Sequence, residues 1–180
     1  NLYNELKNEN IDILINNAGF GVHGNFAETD LDKEINMLDT NVMAVHILMK
    51  LFLQDMVKRN SGKILNVSSM AAFAPGPLMA GYYSSKAYVY RLSECVKTEL
   101  KMAKSNVKIS VLCPGPVRTN FNKVANVNFA APSLSSDVVA KYAIKKMLKG
   151  KFTIVPGNLM KITRFFEKIL PHNWVSYVSY

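Results

Sequence analysis

The stretch "GYYSSKAYVYRL", residues 81–92, sets two adjacent tyrosines just ahead of a lysine. Tyr82 and Lys86 are four residues apart, so on a helix they share one face, a turn apart. Tyr83 points about 100° away from that face. A phenol held beside an ammonium suits proton transfer. The unperturbed phenol has a pKa of about 10, and a neighbouring positive charge favours the phenolate and lowers that value. Tyr82, not Tyr83, is therefore the candidate acid/base partner of Lys86.

Such a pair needs a scaffold, and the pattern around it alternates. Residues 11–19, "IDILINNAG", read as a short buried strand that ends in turn residues. Thr29 or Asp30 can cap a long helix whose apolar positions Ile35, Leu38, Val42, Val45, Met49, Phe52 and Met56 recur three or four apart. "SGKILNVSS" reads as a turn and a second strand, followed by the tyrosine-rich helix over about 81–104. "VKISVLCPG" is a third strand, stopped by Pro114 and Gly115. "SSDVVAKYAIKKMLKG" is a helix with Ser135 or Ser136 as cap and Gly150 as stop. "FTIVPG" is a fourth strand, and "NLMKITRFFEKIL" an amphipathic closing helix. The alternation predicts an α/β fold of three layers, a doubly wound parallel sheet of Rossmann type with helices on both faces. No repeat or linker divides the chain, so residues 1–180 are expected to form one domain, with 158–180 as a helical tail.

Ligands of such sheets bind at the carboxyl ends of the strands. That rule selects "NNAGFG" (16–21), "NVSSMAA" (66–72) and "PGPVRTNF" (114–121). Together with "DTNV" around Asn41 and the Tyr-x-x-x-Lys of Tyr82 and Lys86, these segments closely resemble the short-chain dehydrogenase/reductase family. Nearly the whole chain follows that family's order. Its reactive serine lies about a dozen residues before the tyrosine. Ser69 is 13 before Tyr82 and Ser68 is 14 before, which selects Ser69.

The resemblance implies an NAD(P)-dependent oxidoreductase that interconverts an alcohol and a carbonyl by hydride transfer. A carbonyl accepting hydride builds negative charge on oxygen and must gain a proton. By resemblance, Tyr82 supplies it, Ser69 holds the oxygen, Lys86 also holds the nicotinamide ribose, and Asn41 anchors a water that relays protons to Lys86. Asn16, Ala18 and Gly19 would border the adenosine side of the cofactor. Thr119 would bond the nicotinamide amide, Val117 would offer backbone contacts, and Pro114 and Gly115 complete the cofactor-binding set. The cofactor is NAD or NADP, because the ribose-selecting position is absent from the sequence.

Composition bounds the rest. Hydrophobic residues make up 49% and charged residues 19%, which excludes a disordered chain. Cys95 and Cys113 lack metal-ligand spacing, so neither a metal site nor a disulfide framework is expected, and a cytoplasmic location is. His23, His46 and His172 have no partner cluster and read as structural. The net charge of +9 is uneven, at −4 over residues 1–62 and +7 over residues 140–168. Such a basic end can meet nucleic acid or anionic lipid, or be a solvated helix face. No zinc spacing or RNA-binding aromatic motif supports nucleic acid. The solvated helix face is the favoured reading, and membrane contact through the closing helix is not expected.

The departure from the family is the missing G-x-x-x-G-x-G ahead of "IDILINNAG". The family's order places a strand there, and without it this strand would be an exposed apolar edge. The expectation is part of a longer protein, with the 180 residues inactive on their own. The alternative reading is a non-catalytic or truncated member acting as an interaction or lipid-facing module. The substrate is expected to be a small, apolar alcohol or carbonyl compound. Phe121, Val124, Val127 and Phe129 would cover it, and Leu159, Ile162, Phe165, Phe166 and Ile169 would wall it. A homodimer or homotetramer is expected through the helices of Asn41 and Tyr82, with Met49, Phe52, Met56, Tyr83, Tyr90, Cys95 and Met102 as apolar contact surface.

Overall fold

The computed structural model describes residues 2–121, 125 and 133–167. Strands β1 (Ile13–Asn16), β2 (Lys63–Val67), β3 (Lys108–Leu112) and β6 (Thr153–Ile154) form one parallel sheet in the order β1-β2-β3-β6. β4 (Val117–Arg118) and β5 (Leu134–Ser135) make a separate parallel pair. The helices are α1 (Leu2–Leu6), α2 (Leu31–Leu38), α3 (Ala44–Lys58), α4 (Ala80–Met102), α5 (Ser136–Leu148) and α6 (Asn158–Glu167). The expected α/β Rossmann-type architecture is present.

Alternation along the strands sorts two cores onto the two faces of the sheet. Leu14, Ile64 and Ile109 meet Met49, Phe52 and Met56 of α3 and Leu100 of α4 on one face. Leu65, Leu112 and Ile154 meet Val139, Ala143 and Met147 of α5 on the other. Burying a side chain such as Phe52 contributes roughly 1.5–3 kcal/mol. Met49, Phe52, Met56 and Tyr90 are thus core residues rather than the contact surface expected of them. The strand face explains their periodicity without a partner.

β1 is less covered than a fully buried strand. Leu14 and Asn16 face the α3 side, whereas Ile13 and Ile15 are exposed. β2 is its only partner strand among the described residues. This leaves β1 an apolar edge among the described residues.

The long helix is interrupted. Asp30 caps α2, its carboxylate accepting the Lys33 N–H at 2.9 Å. Residues Asp39–Met43 then form one π-helical turn before α3. The wider turn resets the inward positions to Met37, Asn41, Val45 and Met49, and leaves Ile35 and Leu38 exposed. Ser135 caps α5, and Gly150 ends it with φ +69°.

Candidate active site

The carboxyl ends of β1 and β2 and the first turns of α4 bring Gly19, Asn41, Ser69, Tyr82 and Lys86 together. Ser69 caps a short 3₁₀ turn, Met70–Phe73, that follows β2, and its hydroxyl accepts the Ala71 N–H at 3.1 Å. The same hydroxyl neighbours the Tyr82 phenol and favours its ionised form. The Lys86 Nζ lies 5.7 Å from the centre of the Tyr82 ring and donates to the Val67 carbonyl at 3.2 Å. Tyr82 and Lys86 are buried, and Tyr83 is half-buried.

Ser68 has a different task. Its hydroxyl donates to the Lys86 carbonyl at 2.8 Å, tying the end of β2 to α4. Asn41 makes a second tie. Its amide donates to the Phe20 carbonyl at 2.8 Å and to the Ser85 hydroxyl at 3.1 Å, and its Oδ1 accepts the Phe20 N–H at 3.1 Å. Both N–H bonds of the Asn41 amide are therefore committed. Its side chain fixes the loop after β1 against the helix of Tyr82 and Lys86. Ser85 completes that link by donating to the Tyr82 carbonyl at 2.7 Å.

Gly19 is needed for space. A Cβ there would lie 2.8 Å from the Asn41 Oδ1 and 2.9 Å from the Lys86 Nζ. Ala18 and Gly19 are exposed beside the lysine. Asn16 is turned inward, where its amide donates to the Asn66 Oδ1 at 2.8 Å. Asn66 in turn donates to Ser93 at 2.8 Å, and Ser93 to the Val89 carbonyl at 2.7 Å. This buried chain of polar groups ties β1 through β2 to α4. Pro114 and Gly115 follow β3, and the Pro114 carbonyl accepts the Met70 N–H at 2.9 Å. With Val117 and Met160 they border a cavity of about 170 Å³. Thr119 is exposed and accepts the Phe121 N–H at 3.2 Å.

The electrostatics reverse one expectation. Burial pushes the Tyr82 phenol up to about 12, with the Ser69 hydroxyl working the other way. Burial also brings the Lys86 ammonium down to about 8. Lysine proximity was expected to lower the tyrosine. Desolvation of the charged form is the largest influence on each group. Tyr82 is therefore held protonated in the free chain.

The surroundings of Tyr82 are apolar. Phe121 lies 5.2 Å away between ring centres, and Met37, Ala71 and Met79 pack in the same cluster with Phe20 and Val22. Val124, Val127, Phe129 and Ile169 lie outside the described residues, as do Pro171 and His172. Leu159, Ile162, Phe165 and Phe166 are exposed, and Leu159 borders the cavity beside Gly115 and Val117. Cys113 is buried and Cys95 exposed, and both are free. Among the described residues, no His/Cys/Asp/Glu group can hold a metal and no helix is long and apolar enough to cross a membrane.

A parallel sheet with a serine just after β2 and a tyrosine and a lysine on the first turns of α4 has the α/β Rossmann-type layout. The family model described as short chain dehydrogenase matches residues 2–130, and the chain belongs to that family. It is 38% identical over 129 residues to "Probable oxidoreductase EphD" of Mycobacterium tuberculosis, covering 71% of this chain and 21% of that protein. It is 33% identical over 163 residues to "Ketoacyl reductase HetN" of Nostoc sp., covering 89% and 56% respectively. A short chain dehydrogenase/reductase from Burkholderia phymatum, solved in complex with NAD, is similar with a TM-score of 0.77 and 26% identity. That match covers 88% of this chain and 66% of the other. The chain thus spans from about a fifth to about half the length of these two curated relatives.

Proposed function

We propose that the full-length protein is an NAD- or NADP-dependent oxidoreductase that interconverts an alcohol and a carbonyl. The observation that carries this reading is the grouping of Ser69, Tyr82 and Lys86 beyond the carboxyl end of β2, with the Lys86 Nζ 5.7 Å from the centre of the Tyr82 ring. Family relatives named as an oxidoreductase and a ketoacyl reductase, and a neighbour solved with NAD, support it.

The residues present fit such a cofactor. Among the described residues, the buried Lys86 ammonium has only the Val67 carbonyl as a hydrogen-bond acceptor and pairs with no carboxylate. Its remaining donors suit ribose hydroxyls. Gly19 leaves room beside it that a side chain would fill. When bound, the nicotinamide supplies or accepts the hydride. Ala18 and Gly19 would border the adenosine side of the cofactor by backbone, and Val117 and Thr119 its nicotinamide, with Pro114 and Gly115 completing the set. Asn16 would contribute main chain alone, since its amide is spent on Asn66.

In reduction, the Ser69 hydroxyl holds the substrate oxygen. The Tyr82 O–H, kept neutral by burial, gives that oxygen a proton as it becomes an alkoxide. Lys86 steadies the phenolate left behind. Asn41 acts as a positioning residue through Phe20 and Ser85, so any water near it would be held by backbone.

The substrate reading is an apolar alcohol or ketone, supported by Phe20, Met79 and Phe121 around the Tyr82 ring. Assembly as a homo-oligomer through α3 and α4 rests on exposed Met43, Ile47 and Tyr88 instead of the core residues first expected. Nicotinamide absorbance, followed with full-length protein, each cofactor and a panel of ketones and hydroxy acids, tests the reading. Turnover of apolar ketones is expected. Activity confined to small charged hydroxy acids would overturn the substrate class, and no turnover with any carbonyl the enzymatic reading.

A further inference from the structure

Helix α6 packs on the rest of the chain through Met160 and Arg164. Met160 presses on Gly115, where a Cβ would overlap its sulfur. The Arg164 guanidinium stacks 3.3 Å from the centre of the Phe73 ring and donates to the Tyr90 hydroxyl at 3.3 Å. At about 100° per residue these two side chains define the inner face, and Leu159, Ile162, Phe165 and Phe166 fall on the arc opposite. All four are more than half exposed. An ordinary surface helix turns its apolar stripe to the core. This one turns it outward.

Beside that stripe, a groove of about 560 Å³ runs between α5, β6 and α6. Tyr142, Lys146, Lys151, Lys161, Arg164 and Phe165 line it, and among the described residues no carboxylate does. Lys146 and Lys161 flank the Tyr142 ring at 5.4 and 5.7 Å from its centre. Lys141, Lys145 and Lys149 add further positive charge along α5 and at its end.

We propose that α6 and this groove dock on the surface of an anionic phospholipid bilayer. The groove takes headgroup phosphates, and the Ile162, Phe165 and Phe166 face enters the headgroup–acyl boundary. Charge selects this occupant. Two copies meeting through the same patch about a twofold axis would bring like charges together. An anionic surface instead complements the cations while covering the apolar face, as amphipathic basic helices do. The inference does not depend on the chemistry at Tyr82.

The test is co-sedimentation of full-length protein with vesicles of phosphatidylcholine alone and of phosphatidylcholine mixed with phosphatidylglycerol. Binding to the anionic vesicles, weakening as salt rises, is expected, with little binding to the neutral ones. Lys146→Glu combined with Lys151→Glu should weaken anionic binding by about tenfold or more. Ile162→Ser combined with Phe166→Ser should do the same at low salt. All four residues lie outside the catalytic cluster, so turnover and thermal unfolding report on whether each variant is folded. Salt dependence of the unaltered protein needs no variant at all. Equal binding to both vesicle types, or to neither, overturns the proposal. So does capture of inorganic phosphate without vesicle binding, or conversion of a dimer to a monomer by the Ile162/Phe166 change with vesicle binding unaltered.

Discussion

Gly19 and Lys86 touch across the site so closely that a Cβ on residue 19 would stand 2.9 Å from the lysine Nζ. The ammonium ends a flexible chain and can swing aside. The Asn41 amide on the other flank, held at three hydrogen bonds, cannot. Gly19→Ala is therefore expected to destabilise the protein by about 1–3 kcal/mol and to displace the lysine from its cofactor-facing position. Urea unfolding and titration with cofactor check both effects. Unchanged cofactor affinity would contradict the placement of Lys86.

The lysine also makes stability depend on pH. Its folded value, about 8, lies below the ordinary 10.5, so between those values the unfolded chain binds the proton and the folded chain does not. Stability from this group therefore rises as pH climbs from about 8 to 10.5. Tyr82 acts in the opposite sense above its ordinary 10.0, because the folded state keeps its proton up to about 12. Lys86→Met should abolish the rise and stabilise the cofactor-free protein near neutral pH. Denaturant unfolding of both proteins at pH 7.5 and 9.5 measures this. Parallel pH profiles would show that the lysine is not desolvated.

Asn41→Ala should leave the Phe20 N–H and C=O without their partner, at a cost of about 1–3 kcal/mol for a buried group so stranded. Because the amide braces the loop after β1 against Ser85, cofactor affinity should fall along with stability. Loss of stability with cofactor affinity and turnover unchanged would reduce Asn41 to a purely structural residue.

Much of this arrangement was legible in the sequence. The four-residue spacing of Tyr82 and Lys86 put them on one face, and the turn residues after each strand marked the strand ends. Hydrophobic period and capping residues located the helices to within a few positions. The π-helical turn was not legible, because a one-residue widening leaves apolar spacings of three and four intact while it rotates Ile35 and Leu38 outward. Asn66, a lone amide inside "KILNV", was the available sign of the buried Asn16–Asn66–Ser93 chain. Nothing local distinguishes an inward from an outward stripe on α6, since a helical period carries no information about which side meets the sheet. The desolvation of Tyr82 was hidden as well: it depends on Phe20, Met37 and Phe121, distant in sequence.

Assembly is testable on the exposed residues of α3 and α4. Met43, Ile47 and Tyr88 are exposed, and the Tyr88 hydroxyl lies 2.7 Å from the Nδ1 of His46, the residue before Ile47. Ile47→Glu should shift the full-length protein to a smaller species by light scattering at micromolar concentration. A monomer before the change would remove the proposed contact.

The most direct measurement compares two phenols one residue apart. Tyr82→Phe in the full-length protein removes a single hydroxyl from a buried ring, and Tyr83→Phe removes one whose ring stands 6.1 Å away, centre to centre. Steady-state turnover of the first should fall by a factor on the order of 10² or more, the scale of general acid–base catalysis, with cofactor affinity nearly intact. Turnover of the second should stay close to that of the unaltered enzyme. Retained activity in Tyr82→Phe with loss in Tyr83→Phe, or no effect of either in a protein that binds nicotinamide cofactor, would contradict the assignment of Tyr82 as the proton donor.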